Sequence, residues 1–325
     1  MRIKIPVHVG MCAFYKVDFV HSVTGKVRPC SDWTENVMLT SGMKEMSHRG
    51  DWFTTCQVGI DAVDPNAGDT DMPGWVAGTS NILVDLSSSS AQATAPFYGW
   101  KQQTWRFLVG SITVATQINR VGVGWATAQG DNLVSLAKIV DVTGTPVAPN
   151  WQPDEYLDVT VEMRYYPPLV DAEGTVDFNA VTYGYLLRAS SANLGGAWGD
   201  VIGSQIVGWA QNVSDWLAWD NDIGATVDST PTGLTAASDT ATVYTVAPAG
   251  VQSITFGMSV GPTAWNLATD KLFRCLTFKT TAGWYQIQWD DTGISGTYTG
   301  NGIPKTTSFT MQVEFVMTWG QATIP

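Results

Sequence analysis

Charge is scarce in this 325-residue chain: Asp, Glu, Lys and Arg make up 14% of it, and 17 Lys and Arg stand against 29 Asp and Glu. The resulting formal net charge of −12 argues against nucleic acid as a direct partner, because such binding draws its affinity from cations that neutralise phosphates. Histidine is scarcer still. His8, His21 and His48 all fall within the first 50 residues and none belongs to an HExxH motif, which argues against triad and zinc-hydrolase chemistry. The four cysteines, Cys12, Cys30, Cys56 and Cys275, show no CxxC spacing and no histidine at ligand spacing, so no metal site is expected and free buried thiols fit better. No run of 18 apolar residues occurs, so no membrane span is expected. The opening MRIKIPVHVGMCAFYKVDF alternates apolar and polar residues and lacks a continuous apolar core, so it reads as a strand and not as a secretory signal. There is no Walker A motif, and Gly122-Val-Gly124 sits inside a strand pattern, where paired glycines mark a bulge or close backbone approach. No cofactor is expected.

What remains is rich in β-forming material. Hydrophobic residues reach 44%, with 32 Gly, 15 Pro and many Val, Thr and Ser. β-Branched side chains lose freedom in helices and pack well on pleated surfaces, so an all-β fold is expected. Residues 13–20 and 26–30 flank Ser22-Val-Thr-Gly25, a turn-forming cluster, which predicts a β-hairpin. The stretch from Trp33 to Met46 places Val37, Met38, Leu39, Met43 and Met46 at spacings that fit one short helix or two turns. From Phe53 onwards short apolar runs alternate with turn clusters, as in a sandwich or barrel, with loops expected over 61–71 and 85–96.

A diverged internal repeat organises the rest. Trp105-Arg-Phe107, Val121-Gly-Val-Gly124, Leu133-Val-Ser-Leu136 and Tyr156–Tyr165 follow one another in the same order as Tyr244-Thr-Val246, Phe256-Gly-Met-Ser259, Leu272–Leu276 and Ser308–Met317. In the last member of each series Leu157, Val159, Val161 and Met163 alternate with polar residues as Phe309, Met311, Val313 and Phe315 do, with Glu162 and Glu314 in the outward phase. Pro167-Pro168 separates the copies. The expected architecture is two tandem antiparallel β-sandwiches, jelly-roll or immunoglobulin-like, over 51–168 and 169–325, preceded by a hairpin arm over 1–50.

Three clusters bear on function. Asp290-Asp291 and Asp220-Asn-Asp222 stand beside Trp289 and Trp219 and are the carboxylate pairs a glycosidase would need, but adjacent carboxylates in Gly-rich loops are turn residues first, and no catalytic residue is assigned. Asp61, Asp64, Asn66, Asp69 and Asp71 crowd one loop with oxygen ligands, without the spacing of an EF-hand; an acidic loop is the simpler reading. Of the 15 tryptophans, Trp105, Trp125 and Trp151 belong with core strands, whereas Trp209, Trp216, Trp219, Trp284 and Trp289 gather among small polar neighbours, as interface anchors or sugar platforms do.

The segment Phe14-Tyr-Lys-Val-Asp-Phe19, Thr24-Gly-Lys-Val27 and Asp32-Trp-Thr-Glu-Asn36-Val-Met-Leu-Thr-Ser-Gly-Met43 resembles an N-terminal segment of tail, collar and fibre-like virion proteins of tailed bacteriophages. The strand pattern ending at Pro167-Pro168 is similar to their β-sandwich. The resemblance covers most of the first 168 residues and implies a non-enzymatic structural protein of the virion, made in the bacterial cytoplasm and assembled in several copies on the tail or neck. Its expected partners are copies of itself and other virion proteins. An arm over 1–50 would attach through Phe14, Tyr15, Phe19, Trp33, Met38 and Met43. The alternative is a glycan- or receptor-binding module of the tail, reading a host surface glycan through the second group of tryptophans.

Overall fold

The alternation that opens the sequence becomes one 20-residue strand, β1 (Arg2–His21). Its odd positions Ile5, Val7, Val9, Met11, Ala13, Tyr15, Val17 and Phe19 are buried, while the even ones are exposed or half-buried, Cys12 excepted, because successive side chains of a strand point to opposite faces. The computed structural model describes residues 2–61, 63–87, 98–166, 171–178, 180–190, 217–219, 222–224, 235–236, 241–246, 250–260, 271–280, 283–292, 302–305 and 310–323.

After β1 come β2 (Val27–Pro29), β3 (Thr34–Glu35), β4 (Val37–Met38), α1 (Thr40–Glu45), β5 (Thr55–Gly59), β6 (Trp75–Thr79) and β7 (Ile82–Ser87). Then follow β8 (Gly99–Phe107), β9 (Thr116–Gln117), β10 (Arg120–Gly124), β11 (Leu133–Lys138), β12 (Asn150–Trp151) and β13 (Glu155–Tyr166). The remaining strands are β14 (Ala172–Phe178), β15 (Val181–Ser190), β16 (Leu217–Trp219), β17 (Thr235–Ala236), β18 (Ala241–Val246) and β19 (Ser253–Val260). The last are β20 (Lys271–Phe273), β21 (Cys275–Thr280), β22 (Gly283–Asp290), β23 (Ile303–Lys305) and β24 (Met311–Gln321). The chain is predominantly β, and α1 is the one helix among the described residues.

A nine-stranded sheet in the order β18-β19-β24-β1-β13-β8-β7 is built around β1, with β2 and β3 also paired to it. The two halves of β1 have different neighbours. Residues 10–21 pair antiparallel with 155–166 of β13, whereas residues 2–11 pair parallel with 312–321 of β24. The register places Tyr15 beside Val161 and Val17 beside Val159, and Ile5 beside Phe315 and Val7 beside Met317, so the apolar sides of all three strands fall on one face. A five-stranded sheet, β4-β11-β10-β5-β6, meets that face through Tyr15, whose hydroxyl is bonded to that of Ser135, and through Trp105, whose indole N–H donates to the Thr54 carbonyl at 3.3 Å. A six-stranded sheet, β14-β15-β22-β21-β16-β17, supplies Tyr185, Leu187, Tyr285, Ile287 and Trp289 to the same continuous core.

Several local expectations hold. The hairpin turns at Ser22–Gly25: the Gly25 amide donates to the His21 carbonyl at 2.9 Å, and Gly25 takes φ 67°, which its missing Cβ allows. β1 and β2 then pair antiparallel. α1 has no side-chain N-cap, and a six-residue helix has little stability of its own; packing holds it. Gly42 lies so close to β11 that a Cβ there would stand 2.2 Å from the Leu133 carbonyl oxygen, while Met43 and Met46 are buried.

Three expectations need correction. Residues 1–50 are not an arm outside the sheets: β1 is internal, with β13 on one side and β24, β2 and β3 on the other, because its unbroken alternation lets it serve two sets of neighbours. Strands from 1–50, 51–168 and 169–325 all share the nine-stranded sheet. Glu314, expected outside, is 1% exposed; β24 lies between β1 and β19, opposite Lys4 and Gly257 in register, and alternation tells which face a residue takes without telling whether that face is covered. Val161 and Val313 are fully buried as expected, and Glu162 is half-buried, paired with Arg164 at 2.6 Å. Of the loop expected over 85–96, residues 85–87 belong to β7, and the rest lies outside the described residues.

Candidate functional site

The acidic loop over 61–71 is organised by a residue that sequence reading missed. Arg120 opens β10 and is 1% exposed. Its Nε donates to the Asp61 carbonyl at 3.1 Å and its Nη2 to the Val63 carbonyl, while Asp61 Oδ1 and Asp69 Oδ2 stand 3.9 and 4.0 Å from its terminal nitrogens. The guanidinium therefore supplies, inside the loop, the positive charge that a divalent ion would otherwise supply. The same carboxylate oxygens also serve the loop itself: Asp61 Oδ1 accepts from the Val63 amide at 2.8 Å and Asp69 Oδ2 from the Asn66 amide at 3.0 Å, while Asn66 Oδ1 accepts from the Gly68 amide at 2.9 Å. Asp64 is ion-paired with Lys138, whose hydrogen bond and charge hold the carboxyl below the usual range. The loop is tied to α1 by the Thr40 amide, which donates to the Ala67 carbonyl at 2.8 Å. The signal available in the sequence was a lone arginine in the strand Arg-Val-Gly-Val-Gly: a charge buried in a sheet demands partners.

Beside this loop a cleft of ≈ 200 Å³ is lined by Asn119, Lys138, Ile139, Pro146, Val147 and Ala148. Small-molecule sites occupy roughly 300–1,000 Å³, so the cleft is small for an organic ligand. No group of three or more metal-ligating side chains is placed together among the described residues.

The six residues expected to attach to a partner are largely spent inside the chain. Tyr15, Phe19, Met38 and Met43 are buried, which corrects their assignment: each faces the core from β1, β4 or α1. Phe14 is half-buried under the Arg164 guanidinium, 4.1 Å from its ring centre. Trp33 alone of the six is exposed, at 43%. Among the second-copy tryptophans, Trp289 is 1% exposed in β22, a core residue with no face left for a sugar or a partner. Trp219 and Trp284 lie in β16 and β22; Trp209 and Trp216 lie outside the described residues.

The carboxylate pairs are structural where they are described. Asp290 is 1% exposed and accepts from the Thr292 amide and hydroxyl at 2.7 and 2.5 Å. Asp222 takes Arg274 Nε at 2.6 Å and Gln288 Nε2 at 2.9 Å; Asp220 lies outside the described residues. One further sequence motif bears on hydrolase chemistry. Gly257-Met-Ser259-Val-Gly261 has the spacing of a nucleophile elbow, which requires a sharp strand-to-helix turn. Ser259 instead lies within β19, in register with Thr242 of β18 and Gln312 of β24. Burial also disarms the thiols: Cys12 is pushed up to about 12 and Cys30 to about 11, chiefly by desolvation, whereas a reactive cysteine needs a depressed value.

The outer face of the central sheet carries stacked cations. Arg164 lies over Phe14 and, at 4.6 Å, over Tyr98. Arg106 makes a two-pronged pair with Asp158, both contacts 2.7 Å, and lies over Tyr156. Such pairs fix side chains in place and leave little free charge for chemistry. Compared with protein-family models, with curated proteins and with solved structures, the chain matches none of them.

Proposed function

We propose that this chain is a non-enzymatic structural subunit of a tailed-bacteriophage virion, associated with the tail or neck and present in several copies. The observation that carries the reading is the behaviour of residues 14–43, on which the family resemblance rests. They run on from β1 as a hairpin, two short strands and α1, with β2 and β3 paired to β1 in the central sheet and β4 paired to β11 in the five-stranded sheet. In this reading the fold is a pair of tandem sandwiches that share β1, antiparallel except where β1 and β24 run parallel. One pairs β1, β13 and β8 with the five-stranded sheet, and the other pairs β1, β24 and β19 with the six-stranded sheet. The buried polar groups of the first, such as Arg120 and Gln57, are bonded to loops, which suits a rigid scaffold.

The test is the composition of particles. Virions purified from a producing culture and examined by quantitative mass spectrometry and electron microscopy should contain the chain in several copies per particle at the tail or neck. Recovery of the chain only in the soluble part of the lysate would overturn the proposal.

A further inference from the structure

We propose that His21 makes the turn between β1 and β2 a pH-sensitive latch: the neutral imidazole holds residues 22–25 closed by accepting two backbone hydrogen bonds, and protonation of the ring releases them. The turn follows β1 directly, and each of its backbone amides has a partner. The Ser22 amide donates to the Asp154 carbonyl at 3.0 Å and the Gly25 amide to the His21 carbonyl at 2.9 Å. The two amides between them, of Val23 and Thr24, both donate to His21 Nδ1, at 3.2 and 3.3 Å. A backbone amide can only donate, so Nδ1 must offer its lone pair and the ring hydrogen must sit on Nε2. Nε2 faces Asp154 Oδ2 at 3.5 Å, and this acceptor favours the same tautomer from the other side of the ring.

Protonation cannot leave this arrangement as it is. An imidazolium carries hydrogen on both nitrogens, so the new Nδ1–H would point at the two amide hydrogens that the lone pair had accepted. The Nε2 side gains an ion pair with Asp154, but with side chains 39% and 65% exposed that pair is screened by water and contributes little. The other charged neighbours along the flanking strands are Lys26, whose carbonyl accepts from the His21 amide, and Arg28 on one side, with Glu155 opposite His21 on the other. Arg28 holds the Glu155 carboxylate at 2.8 Å, which leaves Asp154 as the ring's carboxylate partner. The protonated ring therefore turns toward Asp154, and the amides of Val23 and Thr24 pass to water. Both stand at the tip of the hairpin, with Val23 87% exposed, so water reaches them and the turn loosens while β1 stays paired with β13. Imidazole ordinarily changes charge between about pH 5 and 8, a range over which carboxylates ordinarily keep theirs, so the latch responds where the rest of the surface does not.

The latch is a property of the fold and does not rest on the subunit reading. In NMR spectra of the isotopically labelled full chain, the His21 ring should be the Nε2–H tautomer at about pH 8, and the Val23 and Thr24 amide resonances should titrate together with the ring as the pH falls to about 5. The amides of Ser22 and Gly25, which donate to carbonyls, should move far less. Exchange of the Val23 and Thr24 amides with solvent, corrected for the intrinsic effect of pH, should quicken on the order of threefold to tenfold, the worth of one neutral hydrogen bond. His21→Asn places a side-chain oxygen that does not titrate where Nδ1 stands, an acceptor suited to the amides that follow it in a turn, so this variant should keep both amides protected across the whole range. A ring that carries its hydrogen on Nδ1 at about pH 8 would overturn the proposal. So would Val23 and Thr24 amides that stay protected while the ring takes up its proton, or a pH response of undiminished size in His21→Asn.

Discussion

Replacing Arg120 by Met tests whether one guanidinium organises the loop over 61–71. Two charged hydrogen bonds to the carbonyls of Asp61 and Val63 are lost, each contributing about 1.5–3 kcal/mol. The carboxylates of Asp61 and Asp69 stand 3.9 and 4.0 Å away with side chains 29% and 31% exposed, so water screens them and their release adds no more than about 1 kcal/mol. Water entering the vacated space recovers part of the carbonyl cost, and the net loss should be about 3 kcal/mol, a large share of the roughly 5–15 kcal/mol of a typical domain. Arg120→Lys should recover less than half, because one ammonium cannot reproduce the fork that reaches both carbonyls. Urea denaturation at neutral pH measures this, with the midpoint falling at constant slope. A loss under about 1 kcal/mol, the size of a surface ion pair, would refute the view that Arg120 holds the loop.

Three further outcomes are expected. Gly42→Ala should destabilise by about 2 kcal/mol: helix propensity favours Ala by about 1 kcal/mol, but its Cβ would meet backbone atoms of Leu133 and Val134 at 2.2 and 2.4 Å, an overpacking that costs more, and a stabilised variant would show that α1 can lift off β11 at no cost. Calcium or a chelator should leave the melting temperature of the native chain unchanged, since Arg120 already occupies the loop; a rise with calcium would show that the carboxylates remain available. Stability should hold from neutral pH to about 9 and then fall, because burial raises Cys12, Cys56 and Tyr15 above their ordinary values of 9.0 and 10.0. The unfolded chain releases those protons first as pH rises, and denaturation midpoints that stay flat to pH of about 11 would contradict it.

How much of this was legible in the sequence depends on whether the determinant was local. Alternation over Arg2–His21 and Tyr156–Tyr165 marked the strands and their buried sides, and Ser22–Gly25 marked its turn, because each depends on residues within a few positions. Met43 and Met46 placed the helix. The partners of β1 were not legible: nothing in Ile5, Val7 or Val9 tells that the neighbours are Phe315, Met317 and Trp319, 310 positions along the chain, since apolar faces are interchangeable until geometry selects among them. The same gap hid the burial of Glu314 and Trp289. Arg120 was missed because a charge in a strand was read by its apolar neighbours, when the acidic residues at 61–71 were its complement.

The parallel pairing of β1 with β24 has a mechanical consequence. Ten register pairs run from Arg2 with Gln312 to Met11 with Gln321, so tension applied at the Arg2 end of β1 and the Gln321 end of β24 pulls the two strands lengthwise past each other. In that geometry the backbone bonds between them share the load and must yield together, whereas strands peeled from one end would yield bond by bond. The links beyond the pair, from the Trp319 indole to the Met43 carbonyl at 2.8 Å and from the Ala322 amide to the Met11 carbonyl at 2.7 Å, lie at the far end of that seam. A chain pulled along this line resists as a clamp before any other strand is loaded.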